Sequence, residues 1–157
     1  MQKTVLLMRH GEAGTALRDF DRPLTEAGVE QCKARGLMLQ QYNVECNAIV
    51  SSPALRTSSS AIAVAEVIHY PVDRIILEDP LYNASEETIF QVIKRFDDTW
   101  HTVLLIGHNP GLSVVAQTLC PQVQGSNLDV SELYAISFPL LHWSDITPAK
   151  GQLITYA

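Results

Sequence analysis

A chain of 157 residues, 46% hydrophobic and 18% charged, is long enough to bury a sizeable core and too apolar to be disordered. Its formal net charge is −6 and no run of Lys or Arg offsets it, which argues against a general nucleic-acid or anionic-membrane surface. Its cysteines are three, at 32, 46 and 120, with no C-x-x-C pair, which argues against a disulfide framework or a structural zinc site.

Val5-Leu6-Leu7-Met8 reads as a buried strand, and it ends in Arg9-His10-Gly11. Arginine there suggests an anion. Histidine suggests a nucleophile, an acid–base group or a metal ligand. Glycine permits a sharp turn or a close backbone approach. The polar stretch Glu12 to Pro23 reads as a loop. Thr25 is a good N-cap, with Leu24 placed to staple onto Val29, for a helix that buries Val29, Cys32, Gly36 and Leu39 and fades near Tyr42-Asn43.

Ala48-Ile49-Val50 is a second apolar strand ending in Ser51-Ser52-Pro53. Ser52 as N-cap and Pro53 at the first helical position predict a helix to about Ile68, with Arg56 in its first turn and Ala61, Val64, Ala65 and Ile68 inward. Ile75-Ile76-Leu77 reads as a third strand. Ser85-Glu86-Glu87 opens a helix with an apolar stripe of Ile89, Val92, Ile93 and Phe96. Val103 to Ile106 is a fourth, fully buried strand, followed by Gly107-His108-Asn109-Pro110-Gly111. Pro110 starts a helix that buries Leu112, Val115, Ala116 and Leu119. After a polar loop from Gln122 to Asp129, Leu133–Phe138 and Leu153–Tyr156 read as two late strands, antiparallel at an edge.

This alternation predicts one domain over 1–157, a three-layer α/β/α sandwich with a mostly parallel central sheet. In such sheets ligands bind beyond the carboxyl ends of the strands. The first strand delivers Arg9 and His10 there, the second leads to Arg56, and the fourth delivers His108. Two helix N-termini add unpaired N–H groups. The expected pocket holds two arginines, two histidines and no carboxylate, a setting for a phosphoryl dianion. Metal binding by His10 and His108 ranks lower, because it lacks a third ligand and the arginines repel a cation. No apolar run approaches the roughly 20 residues of a membrane span, and a cytoplasmic protein is expected.

The ordered set Arg9-His10-Gly11-Glu12, Arg22-Pro23-Leu24-Thr25-x-x-Gly28, Ser51-Ser52-Pro53-x-x-Arg56 and Gly107-His108 resembles the histidine phosphatase, or phosphoglycerate-mutase-like, superfamily. The short chain and the wording around Asp21-Arg22-Pro23-Leu24-Thr25 and Gly107-His108-Asn109-Pro110-Gly111 are most similar to the SixA-type phosphohistidine phosphatases. The resemblance implies His10 as nucleophile, with Arg9, Arg56 and His108 as catalytic and phosphate-binding partners and Arg22 as a further substrate contact. It implies no cofactor and no metal. It implies a phosphorylated histidine-containing phosphotransfer protein as partner and inorganic phosphate as product. Many relatives place an acid after the third strand. Here Pro80 falls near that position, leaving Glu78, Asp79 or no acid at all. The alternatives are a small-molecule phosphomonoesterase or general protein phosphatase of the same superfamily, a metal-dependent hydrolase, and a non-catalytic phosphate-binding module.

Overall fold

The structure, a computed structural model, describes residues 2–156. The expected span of 1–157 includes Met1 and Ala157, which lie outside the described residues. Strands β1 (Lys3–Arg9), β2 (Ala48–Ser51), β3 (Ile76–Leu77), β4 (Thr102–Gly107), β5 (Leu133–Phe138) and β6 (Gln152–Ile154) form one sheet. Its order is β3-β2-β4-β1-β5-β6. The pairs β3·β2, β2·β4 and β4·β1 are parallel; β5 runs antiparallel to β1, and β6 antiparallel to β5. Helices α1 (Glu26–Gln41) and α2 (Leu55–Ile68) cover one face, and α3 (Glu86–Lys94) and α4 (Gly111–Leu119) the other.

The three layers follow from the period-two geometry of a strand. In β1, Leu6 and Met8 pack with Cys32, Leu39 and Val64 beneath α1 and α2. Val5 and Leu7 pack with Ile89, Val92, Leu112 and Val115 beneath α3 and α4. Because both faces are covered, β1 and β4 read as unbroken apolar runs. No helix among the described residues is long and apolar enough to cross a membrane.

Several boundaries differ from expectation for local reasons. Thr25 does cap α1, accepting from the Gly28 N–H, but Gly28 rather than Val29 takes the buried position. A Cβ on Gly28 would lie 2.1 Å from the Glu12 carbonyl oxygen, so the helix can approach the turn after β1 only at a glycine. Helix α2 begins at Leu55 with Ala54 as N-cap, two residues later than Ser52-Pro53 suggested. The late strands are antiparallel and form one edge of the sheet as expected, with β5 against β1 and β6 outermost, but β6 ends at Ile154. The polar loop after Gly11 contains a short 3-10 turn over Asp19–Asp21 and a bridge between Ala13 and Leu24.

Candidate active site

The parallel order β2-β4-β1 brings three strand ends together. Arg9 lies opposite Gly107 in register, the His10 N–H reaches the Gly107 carbonyl at 3.4 Å, and the Ser52 N–H donates to Ile106 O at 3.1 Å. His10, Ser52 and His108 therefore leave the sheet as neighbours. Helix α2 is tied to the same place. The Gly11 N–H donates to Ser60 Oγ at 3.0 Å, and that hydroxyl donates to the Arg56 carbonyl at 2.7 Å.

His10 is buried, and its Nδ1 sits 2.7 Å from the Gly11 carbonyl oxygen. A carbonyl oxygen only accepts, so the proton of the neutral ring belongs on Nδ1 and the lone pair on Nε2. Burial pushes the His10 pKa down to about 4; Arg56, Arg9 and Arg22 repel a second proton, and the Gly11 bond opposes them in part. The His108 ring lies 5.6 Å from that of His10, centroid to centroid. Its Nε2 is 2.8 Å from Ser52 Oγ. Burial, followed by Arg56 and His10, brings the His108 pKa down to about 3. Both rings are neutral at pH 7.

The arginines are held by backbone carbonyls with capacity to spare. Arg9 Nη1 donates to Leu128 O at 3.3 Å. Arg56, only 4% exposed, donates through Nη1 to the Asp19 carbonyl at 2.8 Å. Arg9 Nε, Arg56 Nε and His108 Nδ1 are buried without a hydrogen-bond partner among the described residues. Buried polar groups are seldom left unpaired. Three such groups, on two cations and a neutral imidazole, fit an anion with several acceptor oxygens.

One expectation is corrected here: the site does contain a carboxylate. Asp19 Oδ2 accepts from Arg56 Nη2 at 3.1 Å and from the Tyr82 hydroxyl at 2.6 Å. These bonds, that of Tyr82 first, hold the Asp19 carboxyl far below its usual range, so it is ionised. Arg22 lies close by, with Nε donating to the Gly14 carbonyl at 2.9 Å and Nη1 3.4 Å from Asp19 Oδ1. The Tyr82 ring stands edge-on to both His108 and Phe20. The two candidate acids are elsewhere. Glu78 lines a small cavity of about 70 Å³ with Arg95, Phe96 and Trp100 on the α3 side of the sheet, and Asp79 is exposed in a 3-10 turn. The Asp79 carbonyl accepts from the Tyr82 N–H at 3.1 Å, but among the described residues neither carboxyl hydrogen-bonds a site residue. Among the described residues no group of three His, Cys, Asp or Glu is placed to hold a metal ion.

Residues 5–79 match the model of the histidine phosphatase superfamily (branch 1). A Nakamurella multipartitia structure proposed to be a phosphohistidine phosphatase SixA superposes with a TM-score of 0.81 at 26% identity, over 99% of this chain and 95% of that one. The phosphohistidine phosphatase SixA of Escherichia coli is 26% identical over 119 residues, 74% of each chain. Over residues 5–79 the chain is similar to the histidine phosphatase superfamily. Its fold is also that of a SixA structure complexed with tungstate, with a TM-score of 0.82 at 20% identity over 98% of this chain and 97% of that one. Within this site the structure brings Arg9, His10, Arg56 and His108 together and sets Arg22 beside them, bonded to Asp19. Asp19, Tyr82 and Ser52 are the neighbours that the sequence did not reveal. Ser52 carried a signal, a serine directly before a proline at a helix start, but it pointed to capping. Asp19 and Tyr82 carried none, since they meet 63 positions apart in the chain.

Proposed function

We propose that this phosphatase removes the phosphoryl group from a phosphohistidine borne by a cytoplasmic phosphotransfer protein, by way of a phosphorylated His10. The observation that carries the proposal is the hydrogen bond from His10 Nδ1 to the Gly11 carbonyl, made beside three buried donors without acceptors. It leaves Nε2 as an unprotonated nucleophile at neutral pH.

In the first step Nε2 attacks phosphorus in line and the bond to the leaving group breaks. Arg9 and Arg56 hold equatorial oxygens and stabilise the charge spread over them. Ser52 Oγ, accepting from the Ala54 N–H at 3.4 Å and donating to His108 Nε2, puts the His108 proton on Nδ1, the atom that lacks a partner. That N–H becomes a further donor to the phosphoryl group. In the second step water attacks the phosphorus of phospho-His10. Inorganic phosphate leaves, the proton lost by water goes to solvent, and His10 returns with its proton still on Nδ1. The arginines supply the charge that a metal clamp provides in other phosphoryl-transfer enzymes, so turnover survives chelation.

The choice of a phosphoramidate over an alkyl ester rests on the acid that is missing. Among the described residues the carboxyls of Glu78 and Asp79 hydrogen-bond no site residue, and Asp19 is ionised. An alkoxide departs poorly without a proton. A phosphohistidine already protonated on its far ring nitrogen departs as a neutral imidazole, and the transfer to His10 is then an exchange between two similar rings. Names of similar proteins support the same substrate class. The test is to incubate the protein with phosphorylated histidine phosphotransfer domains. Wild type should release inorganic phosphate through an acid-labile phosphoenzyme, and His10→Asn should form none. A phosphoenzyme that persists in His10→Asn overturns the nucleophile.

A further inference from the structure

Asp19 has no part in the two chemical steps above, yet it is bonded to the centre of the site. Its carboxylate spans an inside and an outside. On the inside it meets Arg56, whose side chain is 4% exposed, while its own side chain is 46% exposed. It therefore lies between the buried Arg56 guanidinium and solvent, at the solvent edge of the anion site. Three groups hold it there: Arg56 at 3.1 Å, Arg22 at 3.4 Å and the Tyr82 hydroxyl at 2.6 Å. The 3-10 turn beginning at Asp19 also gives its carbonyl to Arg56 Nη1, which fixes the turn against α2.

A permanent anion at the mouth of a phosphate site is a liability unless it does something. It repels a dianion, and it competes with phosphoryl oxygens for Arg56. It cannot donate a proton to an alkoxide, because it carries none. What it can do is accept one hydrogen bond from a cationic leaving group. We infer that Asp19 selects for phosphorylated imidazole, by accepting the N–H of the substrate ring's far nitrogen once the phosphoryl oxygens have taken its place on Arg56. This deepens the proposed function and rests on it.

The step balances without any further reagent. The substrate ring enters protonated on its far nitrogen, with that N–H directed at Asp19. The P–N bond breaks, its electron pair returns to the ring nitrogen, and the ring leaves neutral with the proton it brought. The new bond joins phosphorus to His10 Nε2. The Nδ1 proton of His10, held by Gly11 O, stays in place. The two rings are then treated alike: each carries its proton on the nitrogen remote from phosphorus, one against a carbonyl and the other against a carboxylate. The carboxylate is on the side where the ring arrives from water and must be kept protonated.

The experiment compares phosphoimidazole with p-nitrophenyl phosphate, whose leaving group departs as an anion and needs no proton. Asp19→Asn should lower kcat/KM for phosphoimidazole by about 10- to 100-fold, the loss of one charge-assisted hydrogen bond. It should raise kcat/KM for p-nitrophenyl phosphate a few-fold by removing the repulsion. The alkaline limb of kcat for phosphoimidazole should move down by about one pH unit, since the ring loses the partner that favours its proton. Asp19→Glu, which restores the charge, should recover part of the phosphoimidazole rate. Equal losses on both substrates, or an unchanged ratio between them, overturn the inference and leave Asp19 as a support for Arg56. If phosphoimidazole is turned over with this dependence and phosphotransfer proteins are not, the selection stands and the protein substrate falls. If wild type hydrolyses p-nitrophenyl phosphate and not phosphoimidazole, both fall.

Discussion

Titrating His10 tests the site most directly. Its pKa of about 4 leaves about nine-tenths of the ring neutral at pH 5, where an unperturbed imidazole near 6.5 is only about 3% neutral. The difference is a factor of roughly 30 in the neutral form of the ring. The ring's long-range 1H–15N correlations, recorded from pH 8 to 3.5, should show the proton on Nδ1 and a midpoint near pH 4. Arg56→Gln should raise the midpoint but leave it below 6.5, because burial is the larger cause. The shift also has a stability consequence. Between pH 6.5 and about 4 the unfolded chain binds a proton at His10 that the native chain refuses, so stability falls as pH falls through that window. From His10 alone the loss is roughly 3 kcal/mol at the bottom of the window. Urea unfolding of His10→Asn should show an acid destabilisation smaller than that of wild type by about this amount. A His10 midpoint between 6 and 7, or a proton on Nε2, refutes the reasoning about both burial and the Gly11 bond.

Other outcomes follow from single contacts. Ser52→Ala removes the hydrogen-bond partner of His108 Nε2; the fold should persist while the rate of phosphoenzyme formation drops by about tenfold, read by rapid quench, as expected for a misoriented donor. Gly28→Ala pushes a methyl into the Glu12 carbonyl; urea unfolding should show a loss of about 1–3 kcal/mol. Exhaustive treatment with chelator should leave the hydrolysis rate unchanged, and a rate restored by added divalent ions would contradict the arginine clamp.

The parts of the site that could be read in the sequence share one property: their place is set by backbone topology. Arg9, His10 and His108 follow apolar runs, and Arg56 lies in the first turn of the helix after another. In a parallel sheet those positions share an edge whatever the side chains do. The core faces were legible for the same reason, since Leu6 and Met8 must oppose Val5 and Leu7. Ser52 was misread because a local rule assigned it another role. A serine before a proline usually caps a helix, but here the hydroxyl is committed to His108 and α2 starts beyond it.

Asp19 shows where that logic ends. It lies in an irregular stretch between β1 and α1, and its direction is decided by groups 37 and 63 residues away. No periodicity marks such a residue. Charge reasoning pointed the wrong way, since a phosphate pocket is expected to exclude acids. Yet without Asp19 the site is a general anion trap: two arginines and two imidazoles bind phosphate equally well whether an alcohol, a phenol or an imidazole is attached. Discrimination between leaving groups must come from the rim, where the attached group sits. A fixed anion there disfavours every phosphate ester and offers compensation to a protonated ring. On the proposed reading, the strand ends hold the phosphoryl group and the loop between β1 and α1 selects the group it is taken from.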